Sequence, residues 1–461
     1  MAEGSLLLEA QADFALQLVR ESAPNADKSL IISPVSISIA LAMCHAGAGN
    51  ETALQIAKAI ASGSASNEDI RKHFSSLMAE LNAPNKTYAL DSANRIYVNN
   101  KFELLDTYKK ILTESFEGQF ENIDFSNASE SAKEINAFVE KATRDKIHDL
   151  ISPDMIDGLT RVILVNAIYF KGNWANKFDK NLTEEKPFYK SENNERKVQM
   201  MKKKAKFPYY ENENVQVLGL PYQDEEIYMY IVLPKERFGL SEVLKNLTGK
   251  TLVDFVQRRG KSEVNVELPR FKLETSLSLG DTLKKLGIVE AFKDSADFSG
   301  MTGSKDLYIS EVVHKAFIEV NEEGTEATAA TGIIMKERSR PSSPRIFNFR
   351  ADHPFLYTLV KVNEEGTEAA AATGVGFKLR SMPAKPPPTY NFTADHPFLY
   401  LLTNEEGSEA AAATGAVFML LSAQIDLEEL YFTADHPFLY SIVNRRGDIL
   451  FTGVVADLEN S

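Results

Sequence analysis

Three copies of Ala-Asp-His-Pro set a carboxylate beside an imidazole, at Asp352-His353, Asp395-His396 and Asp435-His436, and serines lie nearby. An acid, an imidazole and a serine are the parts of a nucleophilic triad, which needs the acid to touch the imidazole. Neighbours on an extended chain point to opposite faces, so an adjacent Asp and His cannot make that contact. Cys44 is the single cysteine and sits in the apolar run SISIALAMCHAG. It can form no disulfide within the chain, and no partner is in view to activate its thiol, so it reads as a small core residue. No metal-ligand spacing and no phosphate-cradling glycine loop occurs. The expectation is therefore a protein that is not an enzyme and has no cofactor and no metal.

The surroundings of these residues are those of a globular chain. It has 461 residues, 44% of them hydrophobic and 25% charged, enough to bury a sizeable core. A net charge of −14 repels phosphate backbones and anionic lipid, which speaks against nucleic acid as a partner. The one basic run, Lys202-Lys203-Lys204 with Lys206, lies between apolar stretches and reads as a solvated hairpin turn. The opening MAEGSLLLEAQADFALQLV lacks a basic leader and a long apolar stretch. It predicts no signal peptide, no membrane span and a cytoplasmic location, with unconventional release outside the cell left open. The sequon Asn85-Lys86-Thr87 then carries no weight, since glycosylation needs the secretory route.

The elements that must carry any site follow from periodicity. Apolar residues recur at helical spacing from Ala12 to about Ala61, broken at Pro24 and at Ser33-Pro34, where a serine can cap a helix beginning with proline; two helices are expected there. Another amphipathic helix is predicted from about Ser129 to Leu150, and the apolar run Val162 to Phe170 suits a buried strand. VQVLGLPY, IYMYIVLP, SEVNVELPRFKLE and HKAFIEV read as further strands, so the class is α+β, with residues 1–320 as one scaffold.

Beyond residue 320 the chain repeats itself. NEEG recurs at Asn321, Asn363 and Asn404, and ADHPFLY at Ala351, Ala394 and Ala434, with variable residues between the two anchors. Solenoid units repeat a supersecondary pattern throughout, so identical ends around a variable centre fit interchangeable cassettes better, at 321–360, 361–402 and 403–461. At period two from Thr325 the first copy places Thr325, Ala327, Ala329, Thr331, Ile333 and Met335 on one face, all uncharged, and puts Glu326 and Lys336 on the other. The same parity holds from Thr367 and from Ser408. Alanines and glycines are weak strand formers, so each copy can be a strand only when a sheet receives it.

The motifs SPVSISIALAMCHAGAGNET, VNAIYFKGNW, VLGLPY, MYIVLPKE, DTLKKLGIVEAFKDSADFSGM, HKAFIEVNEEGTEATAATG and FTADHPFLYSI together resemble the serpin family over nearly the whole chain. The resemblance implies three β-sheets, about eight or nine helices and a mobile reactive-centre loop. A serine protease attacks that loop, which then inserts into the main sheet and carries the covalently bound protease with it. It makes this chain a suicide substrate and a monomer. Counted from the hinge glycines Gly324, Gly366 and Gly407 as in the family, the attacked bonds are Arg338-Ser339, Arg380-Ser381 and Leu421-Ser422, with Arg340 as a neighbouring alternative to Arg338. Arginine before the bond suits a trypsin-like pocket holding a carboxylate, and leucine suits a chymotrypsin- or elastase-like apolar one. The hinge residues carried over are Glu322, Gly324, Thr325, Ala327, Ala329, Gly366, Thr367, Gly407 and Ser408. Ser33, Ser36, Asn166 and His314 match the family's polar cluster beneath the main sheet. Trp174 matches the tryptophan where insertion begins, and Arg270 is the candidate partner of Glu322 in an exposed pair.

The family has one reactive loop, whereas this chain has three. HKAFIEV precedes only the first copy and GDILFTGVVADL follows only the third, so removing residues 321–403 or 358–440 leaves an intact single-loop chain either way. The alternatives to serine protease inhibition are inhibition of papain-like cysteine proteases and a serpin-fold binding or chaperone protein that inhibits nothing.

Overall fold

The computed structural model describes residues 3–24, 28–63, 65–82, 88–116, 120–192, 194–258, 260–325, 346–350, 356–361, 438–443 and 449–456. The N-terminal third is helical: α1 (Glu3–Ser22), α2 (Pro34–His45), α3 (Asn50–Ala61), α4 (Asn67–Asn82), α5 (Asp106–Phe116) and α6 (Ala128–Ala142). Ten α-helices are present among the described residues, the last four short and C-terminal to residue 239. Up to Ala61 the chain forms three helices rather than the expected two, because Gly49 in extended geometry breaks the run and caps α3. The helix expected to reach Leu150 stops at Ala142, and Arg144 and Asp145 adopt positive φ just beyond it.

Among the described residues sixteen strands lie between and after these helices. The first eight are β1 (Leu30–Ile32), β2 (Ala89–Asn99), β3 (Phe120–Ile123), β4 (Val162–Asn173), β5 (Glu184–Ser191), β6 (Asn194–Glu211), β7 (Val215–Pro221) and β8 (Ile227–Pro234). The rest are β9 (Lys261–Pro269), β10 (Phe271–Ser278), β11 (Ile309–Val320), β12 (Gly324–Thr325), β13 (Ile346–Arg350), β14 (Leu356–Lys361), β15 (Phe438–Val443) and β16 (Ile449–Val455).

They make three sheets of an α+β fold. One has the order β10-β11-β12-β4-β2-β3. The other two share the long strand β6, which ladders to β5 and β9 along most of its length and to β7 at its end. Lys202 to Lys206 therefore lie inside a strand, opposite Glu267 to Glu263, and not in a turn. Lys202 pairs with Glu184, and Lys204 with Glu263 at 3.1 Å.

Both faces of the six-stranded sheet are covered, which is why β4 reads as a nearly continuous apolar run from Val162 to Phe170. On one face Ala132, Ile135 and Val139 of α6 pack over Tyr97, Val165, Tyr169 and Phe317. On the other, Leu164, Ile168, Val312 and Ala316 join the main core with α2. Every residue of α2 is buried, its apolar majority together with Ser36, Ser38 and His45, and burial of Cys44 within it raises its thiol pKa.

Candidate functional site

The six-stranded sheet has a seam. β4 and β11 run parallel and paired from Val162 opposite Ile309 to Tyr169 opposite Phe317. Above that point they part, and β12 fills the gap, with Thr325 opposite both Val320 and Gly172 and Gly324 opposite Asn173. A third strand has thus begun to enter between two others.

Residues around the entry point clasp it. Asn321 and Gly324 close a tight turn, Asn321 N–H donating to Gly324 O at 2.9 Å and Gly324 N–H to Asn321 O at 3.3 Å. Gly324 is required there: its φ is +151°, and a Cβ would meet Gly172 O at 2.1 Å. The Trp174 indole stacks on Tyr222 with centroids 4.4 Å apart, and its Nε1–H donates to Asn321 O at 2.9 Å. Trp174 N–H and Phe178 N–H donate to Glu323 O and Glu322 O, each at 2.8 Å.

The two carboxylates of this turn are held differently. Glu323 pairs with Lys177 at 2.7 Å and Lys180 at 3.3 Å, and the hydrogen bond from Lys177 leads in lowering its pKa. Glu322 is only 2% exposed; its Oε1 accepts from Thr183 Oγ1 at 2.7 Å, and Oε2 lies 3.4 Å from Arg270 Nε. The expected Glu322–Arg270 pair forms, but its acidic half is buried rather than exposed. Removing Arg270 would leave a desolvated charge held by one hydroxyl, a larger loss than the roughly 0–1 kcal/mol of a surface pair.

Lower on the seam lies a buried polar cluster. His314 of β11 stands opposite Asn166 of β4. Ser33 N–H donates to His314 Nε2 at 3.1 Å, so the ring proton is on Nδ1, which donates to Asn166 Oδ1. Asn166 Nδ2 donates to Ser36 Oγ and to Asn94 Oδ1, both at 2.5 Å, and Ser36 Oγ donates to Asn94 Oδ1 at 2.7 Å. Ser33 caps α2 by accepting from Ser36 N–H at 3.3 Å, and its hydroxyl donates to Leu450 O of β16. Burial pushes the His314 pKa down to about 3, so the imidazole is neutral. The network ties three adjacent strands to α2, and parting β4 from β11 must break its His314–Asn166 bond.

The structure thus brings Ser33, Ser36, Asn166 and His314 together at one point of the seam, and Trp174, Arg270, Glu322 and Gly324 at another; Thr325 is placed by its backbone. Ala327, Ala329, Arg338, Ser339, Gly366, Thr367, Arg380, Ser381, Gly407, Ser408, Leu421 and Ser422 lie outside the described residues. Sequence reading missed Asn94, Thr183, Tyr222, Glu323, Lys177 and Lys180. For Asn94 a signal existed: it shares the parity of Leu90, Ile96 and Val98, which all face the main core, so it is a polar residue at a core position. Lys177 and Lys180 carried none, since their partner is far away in sequence.

No helix of the described residues is long and apolar enough to cross a membrane, and no group of three or more His, Cys, Asp or Glu among them could hold a metal ion.

Comparison with known proteins gives concordant matches. The family model described as Serpin (serine protease inhibitor) matches residues 9–361, 357–405 and 400–458. Serpin B6 of Pongo abelii is 43% identical over 359 residues, covering 76% of this chain and 94% of that protein. The leukocyte elastase inhibitor of Homo sapiens is 41% identical over 363 residues, covering 76% and 94%. Among solved structures, Serpin48, titled a highly specific serpin in the insect Tenebrio molitor, is similar with a TM-score of 0.72 and 28% identity over 98% of both chains.

Proposed function

The chain belongs to the serpin family, and we propose that it inhibits serine endopeptidases as a suicide substrate, through the loop that begins at β12. The observation that carries this reading is the seam, parted at its top with Gly324 and Thr325 already seated between β4 and β11. The residues that follow in sequence, Ala327, Ala329, Thr331, Ile333 and Met335, are uncharged on one parity and would meet no electrostatic barrier on the same path.

The protease serine attacks the Arg338 carbonyl, the Ser339 amine departs, and an acyl-enzyme forms. The freed loop then extends β12 down the seam. Each ladder bond it gains contributes about 0.5–1.5 kcal/mol net, and the drag on the attached protease halts deacylation. Arg338 directs this to trypsin-like enzymes. The partner is thus a target serine protease, met by a monomer in the cytoplasm.

The second and third cassettes supply Arg380-Ser381 and Leu421-Ser422 to the same scaffold, residues 1–320, when either stands in place of the first. Separate family matches ending at 361 and spanning 357–405 and 400–458 support that division, because a single-loop protein would need only one. The names of relatives that call them inhibitors support inhibition.

Incubation of the full chain with trypsin tests the reading. The expected result is a complex stable to boiling in detergent, with a released fragment that begins at Ser339. Cleavage with no such complex would favour a non-inhibitory binding role. A complex with papain and none with trypsin would favour cysteine proteases.

A further inference from the structure

Strand β8 offers two edges. One is taken along its whole length by β7, from Val215 opposite Pro234 to Pro221 opposite Tyr228. The other is claimed twice. Residues Leu356 to Lys361 of β14 pair antiparallel with Val232 to Ile227, and Leu439 to Val443 of β15 pair antiparallel with Val232 to Tyr228. Leu356 and Leu439 both stand opposite Val232, and Tyr357 and Tyr440 both stand opposite Ile231. The donors and acceptors along one edge can be satisfied by one neighbour only, so identical registers describe alternative occupants and not a wider sheet.

We propose that β14 and β15 exchange at this edge within one chain, so that a core strand of the fold is supplied in turn by two distant parts of the sequence. Each claimant is tethered close to its target. β14 follows β13, which is laddered parallel to β9, through residues 351–355. β15 precedes β16, which is laddered to β1, through residues 444–448. The linkers are equally short, so loop-closure entropy favours neither. Over the five paired positions LYTLV and LYSIV differ only by Thr358 for Ser441 and Leu359 for Ile442. β15 also ladders to β16, with Leu439 opposite Val454, which makes it the more populated occupant. Tethering raises the local concentration of both strands to the millimolar range, above that of any second chain, so exchange in cis outruns swapping between molecules. Exchange at this edge depends only on the ladder of β8, whether or not the chain inhibits a protease.

Hydrogen–deuterium exchange on the unaltered full-length chain tests it. Peptides covering β7 and β8 should be strongly protected, while amides of 356–361 and of 438–443 should each be protected by no more than about tenfold, because each copy is periodically released. Strong protection of one copy with free exchange of the other would overturn the proposal, as would strong protection of both. Cysteine trapping gives a second reading: Ile231→Cys with Tyr357→Cys, and Ile231→Cys with Tyr440→Cys, should each yield an intrachain crosslink in the monomer. A crosslink in only one of the pairs, in neither, or only between two chains would overturn exchange in cis.

Discussion

His314 is neutral because it is buried and because its Nε2 must accept the Ser33 N–H; protonation would set two donors against each other. Its folded pKa lies below the unfolded value near 6.5, so below pH 6.5 the unfolded chain binds a proton that the native one refuses. Stability should be full above pH 6.5 and fall as pH drops toward 3, by up to about 1.4 kcal/mol per pH unit for this one group. Urea midpoints at pH 7.5, 6 and 5 measure it. His314→Gln should be less stable throughout, with a shallower dependence; an identical slope in the variant would assign the effect elsewhere. Gly324 makes a second residue-scale prediction. Gly324→Ala sets a methyl against Gly172 O and should expel β12 at a strain of roughly 1–3 kcal/mol. Trp174 is the single tryptophan and donates to Asn321 O, so its emission should shift; an unchanged spectrum would show that the hinge absorbs the methyl. At this scale the sequence displayed residues whose chemistry is unusual for their place, such as a serine before a proline or a histidine in an apolar strand. It did not display Glu323 with Lys177 and Lys180, because charges common on any surface gain meaning only from a fold that brings them together.

Between β4 and β11 the strands are the unit that acts. The apolar run of β4 made it legible, since a strand covered on both faces keeps little polar alternation. The Lys202 run misled for the opposite reason. β6 pairs with β5 and β9, its Lys202 and Lys204 meeting Glu184 and Glu263 there, and that cross-strand pairing leaves no mark in one strand's own sequence. The seam predicts a substitution of the element that enters it. Thr325 pairs with Gly172 and Val320 through its backbone, and the period-two reading of the sequence makes it the first inward residue of the loop. Thr325→Arg would oblige insertion to bury an unpaired cation at a cost of several kcal/mol, slowing it well over tenfold. The protease then hydrolyses its acyl intermediate first, and the chain becomes a substrate. The check is a gel in which cleaved inhibitor replaces the detergent-stable complex; undiminished complex would mean that Thr325 does not face inward.

For the molecule as a whole, the repeats carry the proposal that one scaffold serves several loops, but they do not say where the copies compete. That the contested place is the second edge of β8 depends on β7 filling the first, a pairing visible only in the fold. If the cassettes are interchangeable on that scaffold, as proposed above, target choice should be a property of the cassette alone. A chain lacking residues 321–403 joins Val320 directly to Asn404 and keeps β15 beside β16 with no rival strand; a chain lacking 358–440 keeps the first loop and β14. The first should form stable complexes with chymotrypsin- or elastase-like enzymes through Leu421 and with trypsin at least about a hundredfold more slowly, because an apolar residue cannot pair with the carboxylate of a trypsin-like pocket. The second should show the reverse preference through Arg338. The full-length chain has its β11 continuous with the first hinge only, so it should trap trypsin and merely be cleaved by chymotrypsin. Its surplus strand, whichever copy is off β8 at a given moment, exposes an unpaired apolar edge, so it should also associate at lower concentration than either shortened form. Rate constants for complex formation with the two proteases, and light scattering across a concentration series, examine all three chains together. Equal trapping of both enzymes by a full-length protein that stays monomeric would mean that hinges without a link to β11 can still insert, and the attachment of each loop to its sheet would then not be what decides between inhibitor and substrate.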